Sequence, residues 1–499
     1  MRAVQNVQMQ IGEVDISQIK FNPKSRDDIP RILKGLQYLY MDVALRSKIF
    51  QLLEEEIAPK VDKCNGRPGM TLWSILVCGV VRLDLNIDYD RVHELANEHK
   101  TLREMLGHGT FDRESYHYQT LKDNVGLLTP ELLDKINQVV VSGGHILLKK
   151  SEGEALRGRC DSFVVETNVH YPTDINLLFD AMRKVVELTA RMSEDHDLSD
   201  WRQSAYNVKH LKGLMRTAQN KKRSKAQSQA QKEKNEALII EAHQEYLEGA
   251  MRYLSKAQGT LAVLERGFTT ALTVARKLEI EGYMRHAARQ IDQTKRRVIL
   301  GQTIPHGEKV FSIFEPHTEW ISKGKAGVPV ELGVKVCILE DQHRFILHHQ
   351  VMENKTDDQV TVSMVEETKK RFPDLVACSF DKGFHSQDNQ HRLKEYLTLV
   401  VLPRKGKLSH QAQAAEQSEA FVKARRQHSA VESAINALEV HGLDRCPDHG
   451  IDGFMRYIAL AVVARNIHRI GAILWQQEEK RARRKRKYSD RDTTYKLAA

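Results

Sequence analysis

Asp161, Asp381 and Glu432 lie far apart in the chain, yet each stands where a shared metal site needs an acid. Asp161 opens the apolar run Asp161-Ser162-Phe163-Val164-Val165-Glu166-Thr167, and Asp381 closes Leu375-Val376-Ala377-Cys378-Ser379-Phe380. Glu432 falls in a helical pattern in which Val431, Ala434, Ile435 and Leu438 form an apolar face, with Glu432 at its border. An acid at a strand end points beyond the sheet, so three such acids can converge. Carboxylate oxygens suit a hard cation such as Mg2+, with Mn2+ as a substitute. Such ions activate a nucleophile and stabilise a leaving oxygen in phosphodiester chemistry. Glu439, two turns on, and the remoter Glu416 and Glu419 are alternative third ligands.

The 76 Lys and Arg against 66 Asp and Glu leave a formal charge of +10, which favours a polyanionic partner, nucleic acid before membrane. Lys323, Lys325, Arg404, Lys405 and Lys407 fall on loops around the expected core, where they can contact phosphate. Lys480-Arg-Ala-Arg-Arg-Lys-Arg-Lys487 is a dense cationic block that can lie on phosphates without reading sequence. Aromatic residues make up only 6%, which argues against a base-stacking reader. No G-x-x-x-x-G-K-[ST] loop exists, which argues against an ATP-driven helper. The six cysteines are scattered without a CxxC pair, as buried thiols in a reducing compartment would be. His441, Cys446 and His449 carry ligand atoms, but their spacing is irregular and no fourth ligand is evident, so no zinc site is read there. The start lacks an apolar signal core and no run of about 18 apolar residues is present, so a cytoplasmic chain is expected.

The elements that must carry these acids are α/β. Residues 1–26 read as an irregular leader, and residues 27–150 as an all-helical domain suited to DNA contact. Residues 151–173 and 306–475 read as strands and helices in the order β-β-β-α-β-α-β-α: an antiparallel meander, then two strands entering through helical crossovers. Residues 174–305 form a polar helical insertion after the first core strand, in which Ile240, Leu247, Leu254 and Leu261 recur every seven residues. That spacing fits an intramolecular helix pair or a dimer seam. Asp174 reads as a helix N-cap. A closing helix is expected over 453–474, followed by the basic tail 476–499.

The segments that carry the acids resemble DDE transposases of bacterial insertion sequences. The matching blocks are Asp161-Ser-Phe-Val-Val-Glu-Thr-Asn-Val-His-Tyr-Pro-Thr-Asp174; Phe314-Glu-Pro-His-Thr-Glu-Trp-Ile-Ser-Lys-Gly-Lys325 with Leu332-Gly-Val-Lys-Val336; Ser379-Phe-Asp-Lys-Gly-Phe-His-Ser386; and Ala430-Val-Glu-Ser-Ala-Ile-Asn-Ala-Leu-Glu-Val-His-Gly-Leu-Asp-Arg445 with Ala464-Arg-Asn-Ile-His-Arg469. The region from Gly66 to Leu106 is similar to the N-terminal helical domain of these enzymes. The resemblance implies an RNase H-like mixed sheet with flanking helices and Asp161, Asp381 and Glu432 as ligands to Mg2+. It further implies cleavage and strand transfer on double-stranded DNA, at terminal inverted repeats and target, by a homodimer or higher assembly at the nucleoid. Many relatives carry a Tyr-x2-Arg-x3-Glu-x6-Lys signature. Here those positions hold Arg425, His428, Glu432 and Glu439, so the roles of the family's Arg and Lys do not transfer; Arg425, Arg426 and His428 are the nearest replacements. The alternatives are an RNase H-like nuclease or resolvase that cuts without joining, and a DNA-binding protein descended from a transposase.

Overall fold

A computed structural model of the chain describes residues 3–5, 12–22, 25–57, 69–109, 111–222, 228–264, 270–322, 329–406 and 408–497. The chain divides into two compact units: Met1–Asn168 with Ile321–Ala499, and Val169–Trp320. Each holds its own apolar core.

The first unit is built on a mixed sheet of seven strands: β1 (Leu156–Thr167), β2 (Glu319–Ser322), β3 (Val330–Glu340), β4 (Ile346–Met352), β5 (Leu375–Phe380), β6 (Leu399–Val401) and β7 (Arg445–Cys446). The path runs β2-β3-β1-β5-β6, with β4 also on β3 and β7 also on β1. β3 is antiparallel to both β1 and β4, while β5 is parallel to β1 and β6 to β5. The hairpin and the two crossover strands thus follow the expected order. The two short strands β2 and β7 are additions that the sequence pattern did not signal.

β1 differs from its reading in a way that matters for the site. It begins at Leu156, so Asp161 lies inside the strand rather than at its start. Arg159 is accommodated because its guanidinium donates to the Asp341 carbonyl at 2.6 Å and lies 3.4 Å from the Glu340 carboxylate. β5 ends opposite Cys160, which pairs with Phe380. Asp161 is therefore the first β1 residue beyond the end of its parallel neighbour.

Helices Ile29–Met41, Val43–Ile57, Leu72–Asp84, Pro130–Leu147 and Gly450–Leu497 share the core with this sheet. Leu72–Asp84 is buried at every residue, as its nearly unbroken apolar run requires, and Thr71 caps it by accepting the Ser74 N–H. Thr129 caps Pro130–Leu147 in the same way, with Pro130 at the first turn. The last helix is longer than expected: it continues through the cationic block to Leu497. By length and composition it could cross a bilayer, but 67% of its apolar window is buried inside the protein, the use a core helix makes of such residues.

A buried polar knot ties two of these helices to the sheet edge. Asn466 accepts the Ile346 N–H at 3.0 Å and donates to the Ile346 carbonyl at 2.9 Å and to the Asn137 side chain at 2.7 Å. Asn137 donates to the same Ile346 carbonyl at 3.0 Å. Arg82, 3% exposed, makes a second link: its guanidinium grips both oxygens of Asp448, at 2.7 and 3.3 Å, and stacks 4.0 Å from the Tyr89 ring centre.

The second unit is helical: Asp174–Glu194, Ser204–Lys222, Gln229–Leu264 and Ala271–Thr294 surround a core that includes Leu178, Val185, Trp201, Tyr246 and Ile280. Leu247 and Leu261 of the seven-residue repeat point into this core, so the repeat serves packing within the chain. The N-cap of the first helix is Thr173, whose hydroxyl accepts the Asn176 N–H, and not Asp174. Asp174 sits one residue on and pairs with Arg297 at 2.8 Å.

Candidate active site

Asp161 and Asp381 follow the paired residues Cys160 and Phe380 on neighbouring parallel strands, which run about 4.8 Å apart. Asp161 is half-buried, and its carboxylate accepts the Ser162 N–H at 2.8 Å. Asp381 is exposed and opens a single turn, Lys382–Phe384. Glu432 is exposed in the first turn of Ala430–Leu438, whose Val431, Ala434 and Leu438 are buried. Burial raises the Asp161 carboxyl to about 6; the Ser162 N–H opposes this, and the like charges of Asp381, Asp357 and Glu432 add to it. Four carboxylates thus share one field. The oxygens of Asp161, Asp381 and Glu432 do not all close to within 4.8 Å of one another, as mutual repulsion favours; among the described residues only Asp84, His441 and His468 do so.

Asp357 is the member that sequence reasoning missed. It occupies the first turn of Asp357–Arg371, accepts the Ser162 hydroxyl at 2.7 Å and lies 3.4 Å from the Lys335 ammonium on β3. It therefore holds β1 at the residue next to Asp161. Gly383 lets the turn after Asp381 approach it: a Cβ there would come 2.9 Å from an Asp357 oxygen. The one available signal was Thr356-Asp357-Asp358 at a helix start, which reads equally well as ordinary capping.

The donor set fits a hard divalent cation. The ligand atoms are all carboxylate oxygen, and Lys335 offsets only one of the four negative charges gathered here.

Around the acids stand several of the expected cations. Lys405 donates to the Gly383 carbonyl at 3.0 Å, in the turn that follows Asp381. Arg404 is exposed beside it, and its backbone N–H donates to Glu416 at 2.9 Å. Both line a polar cavity of about 420 Å³ with His385, Gln387, Gln390 and His391. His385 is lowered by burial and by Arg404 and Lys405. Arg425 and Arg426 are exposed on Glu419–His428. His428 is turned inward, with Nδ1 3.0 Å from the Ser379 hydroxyl. Burial lowers its pKa, while Asp381 and Glu432 pull it up and Arg159 and Arg425 push it down. Lys323, Lys325 and Lys407 lie outside the described residues. His170 belongs to the other unit, 3.4 Å from Asp180. Glu439 falls in the kinked turn after the Glu432 helix.

Compared with family models, with curated proteins and with solved structures, the chain matches none.

Proposed function

We propose that the chain is a DNA transposase of the DDE type, with Asp161, Asp381 and Glu432 as the ligands of catalytic Mg2+. The observation that carries this reading is the side-by-side placement of Asp161 and Asp381 at the end of parallel β1 and β5, with Glu432 near enough for its charge to act on Asp161. The strand order is compatible with it as well: β1 forms a three-stranded antiparallel meander with β3 and β4 on one side and meets the parallel strands β5 and β6 on the other, as in an RNase H-like core. The sequence blocks that resemble insertion-sequence transposases hold the same three acids.

When bound, the divalent ions supply an activated hydroxyl nucleophile and charge stabilisation for the leaving 3′ oxygen. The chain's own residues then do the positioning. Asp161 is presented by a strand whose next residue is anchored to Asp357, so its carboxylate is held in place. Arg404 and Lys405 offer cationic contacts to the DNA backbone beside the Asp381 turn, and Arg425 and Arg426 offer more on the helix before Glu432. His428, held below the ordinary histidine range chiefly by burial, stays neutral at neutral pH and adds no cation to the acid cluster.

The test uses the full chain and duplexes taken from the DNA flanking its gene. With Mg2+ the parent should nick at the terminal repeats and join the freed 3′ ends to a target duplex. Asp161→Asn, Asp381→Asn and Glu432→Gln should each abolish both steps. Cleavage by Asp161→Asn at the parental rate overturns the assignment. Cutting without joining, lost in the same variants, turns it into a nuclease.

A further inference from the structure

A second constellation lies in the first unit, built from different residues. Asp84 ends the fully buried helix Leu72–Asp84, His441 lies in the kink after the Glu432 helix, and His468 is on the long closing helix. One ligand atom from each lies within 4.8 Å of the other two. The sequence had grouped His441 with Cys446 and His449; the fold sets it against Asp84 and His468 instead.

The hydrogen bonds decide which lone pairs remain. His441 Nδ1 bonds the Asp84 backbone carbonyl, which can only accept, so Nδ1 carries the proton and Nε2 keeps a lone pair. His468 Nδ1 is 2.9 Å from Asp84 Oδ1. The two rings are 5.1 Å apart. Asp84 is 2% exposed, and its other oxygen, Oδ2, is buried with no hydrogen-bond partner. A buried oxygen left unmatched in this way carries a desolvation cost that a bound cation would relieve. One nitrogen of each histidine and one oxygen of Asp84 therefore lie close enough together to share an ion.

The kink that brings His441 here is itself costly to build. Gly442 has φ +103°, and a Cβ there would meet the Tyr457 hydroxyl at 2.8 Å and Asn86 at 3.1 Å. The Tyr457 hydroxyl donates to the Gly442 carbonyl at 3.1 Å, and Asn86 donates to the Val440 carbonyl at 3.4 Å. Both histidines stay partly exposed, which leaves a route for an ion and a place for water as a fourth ligand. Arg465, which feels the charge of Asp84, is also faced by Glu340.

We propose that Asp84, His441 and His468 bind one divalent transition ion of the Zn2+ class. Two imidazole nitrogens and one carboxylate oxygen suit such an ion and not Mg2+. Its role is a clamp: it joins the buried helix Leu72–Asp84, the closing helix and the segment that follows the Glu432 helix. This inference does not rest on the transposase reading.

The test is metal binding by the full chain, stripped with chelator and dialysed. Competition against a chromophoric chelator should show one Zn2+ per chain, and Co2+ should give the intense visible bands of a tetrahedral N/O site. His441→Gln and His468→Gln should each weaken Zn2+ by more than a hundredfold, beyond the loss typical of a residue that only supports a ligand. Asp161→Asn with Asp381→Asn should leave it unchanged, which separates this site from the acid cluster. Zn2+ should also raise the thermal midpoint of the parent and not of His468→Gln, a readout that holds whether or not the variant is less stable at the outset. Binding well below one ion per chain, or binding that survives both histidine variants, overturns the proposal.

Discussion

Replacing Asp357 tests whether the strand that carries Asp161 must be held from the side. Asp357 accepts the Ser162 hydroxyl at 2.7 Å and faces Lys335 at 3.4 Å. A hydrogen bond to a charged acceptor contributes about 1.5–3 kcal/mol. The Asp357 side chain is 19% exposed, so the lower half of that range applies, about tenfold to fortyfold in rate if the contact is needed only to seat Asp161. On the proposed function, Asp357→Ala should therefore cut Mg2+-dependent DNA cleavage by roughly ten- to fortyfold, within the usual cost of losing a residue that supports a metal ligand, and raise the Mg2+ needed for half-maximal rate. Ser162→Ala should reproduce part of the loss, and the double variant should be no worse than Asp357→Ala, because both remove one contact. Asp357→Asn keeps an acceptor for Ser162 but loses its charge toward Lys335, and should fall between. The assay is initial cleavage rate across a Mg2+ series, with far-UV circular dichroism as the folding control. Cleavage by Asp357→Ala within twofold of the parent at limiting Mg2+ refutes the reasoning, as does full additivity with Ser162→Ala.

Three further outcomes follow from the fold. Asn466→Leu leaves the Ile346 N–H and the Asn137 amide oxygen without Asn466, and should cost about 2–5 kcal/mol in urea unfolding, with faster hydrogen exchange at the Ile346 amide. Arg82→Ala should cost about 3 kcal/mol, the lower end for a broken buried pair because Arg456 still faces Asp448 at 3.5 Å, while adding Asp448→Ala to it should cost far less; equal and additive losses by denaturation count against the pair. Glu340 is 1% exposed, and burial raises its carboxyl from 4.5 to about 7 against the pull of Arg159 and Arg465. The folded state then holds a proton that the unfolded state releases between these values. This contribution is complete below pH 4.5 and is lost as pH rises to 7, a fall of about 3 kcal/mol. Glu340→Gln should flatten that fall in unfolding free energies measured from pH 5 to 7.5, and an unchanged slope contradicts the assignment.

What could be read from the sequence was whatever a local pattern encodes. Apolar runs ended by an acid gave Asp381, and the hairpin of β3 and β4 followed from two apolar stretches around Glu340-Asp341. The start of β1 was not legible in the apolar run that Asp161 opens, since Arg159 finds its partners, Glu340 and the Asp341 carbonyl, only in the fold. Asp357 could not be singled out, since its partners Ser162 and Lys335 come from two other strands. The same holds for Asp84, His441 and His468, which no spacing rule connects. Thr173 and Asp174 are adjacent and both suited to capping, and only the hydrogen bond to Asn176 separates them.

The order in which the strands leave the ribosome adds a consequence of its own. β1 emerges with Asp161, but its parallel neighbour β5 is synthesised only after the whole helical unit Val169–Trp320 and the β3–β4 hairpin. That unit has its own core and can condense while β1 waits, so nascent β1 pairs first with β3 and meets β5 late. A translation product that stops short of residue 430 carries Asp161 and Asp381 and lacks Glu432, so the acid cluster is complete only once the last third of the chain has been made.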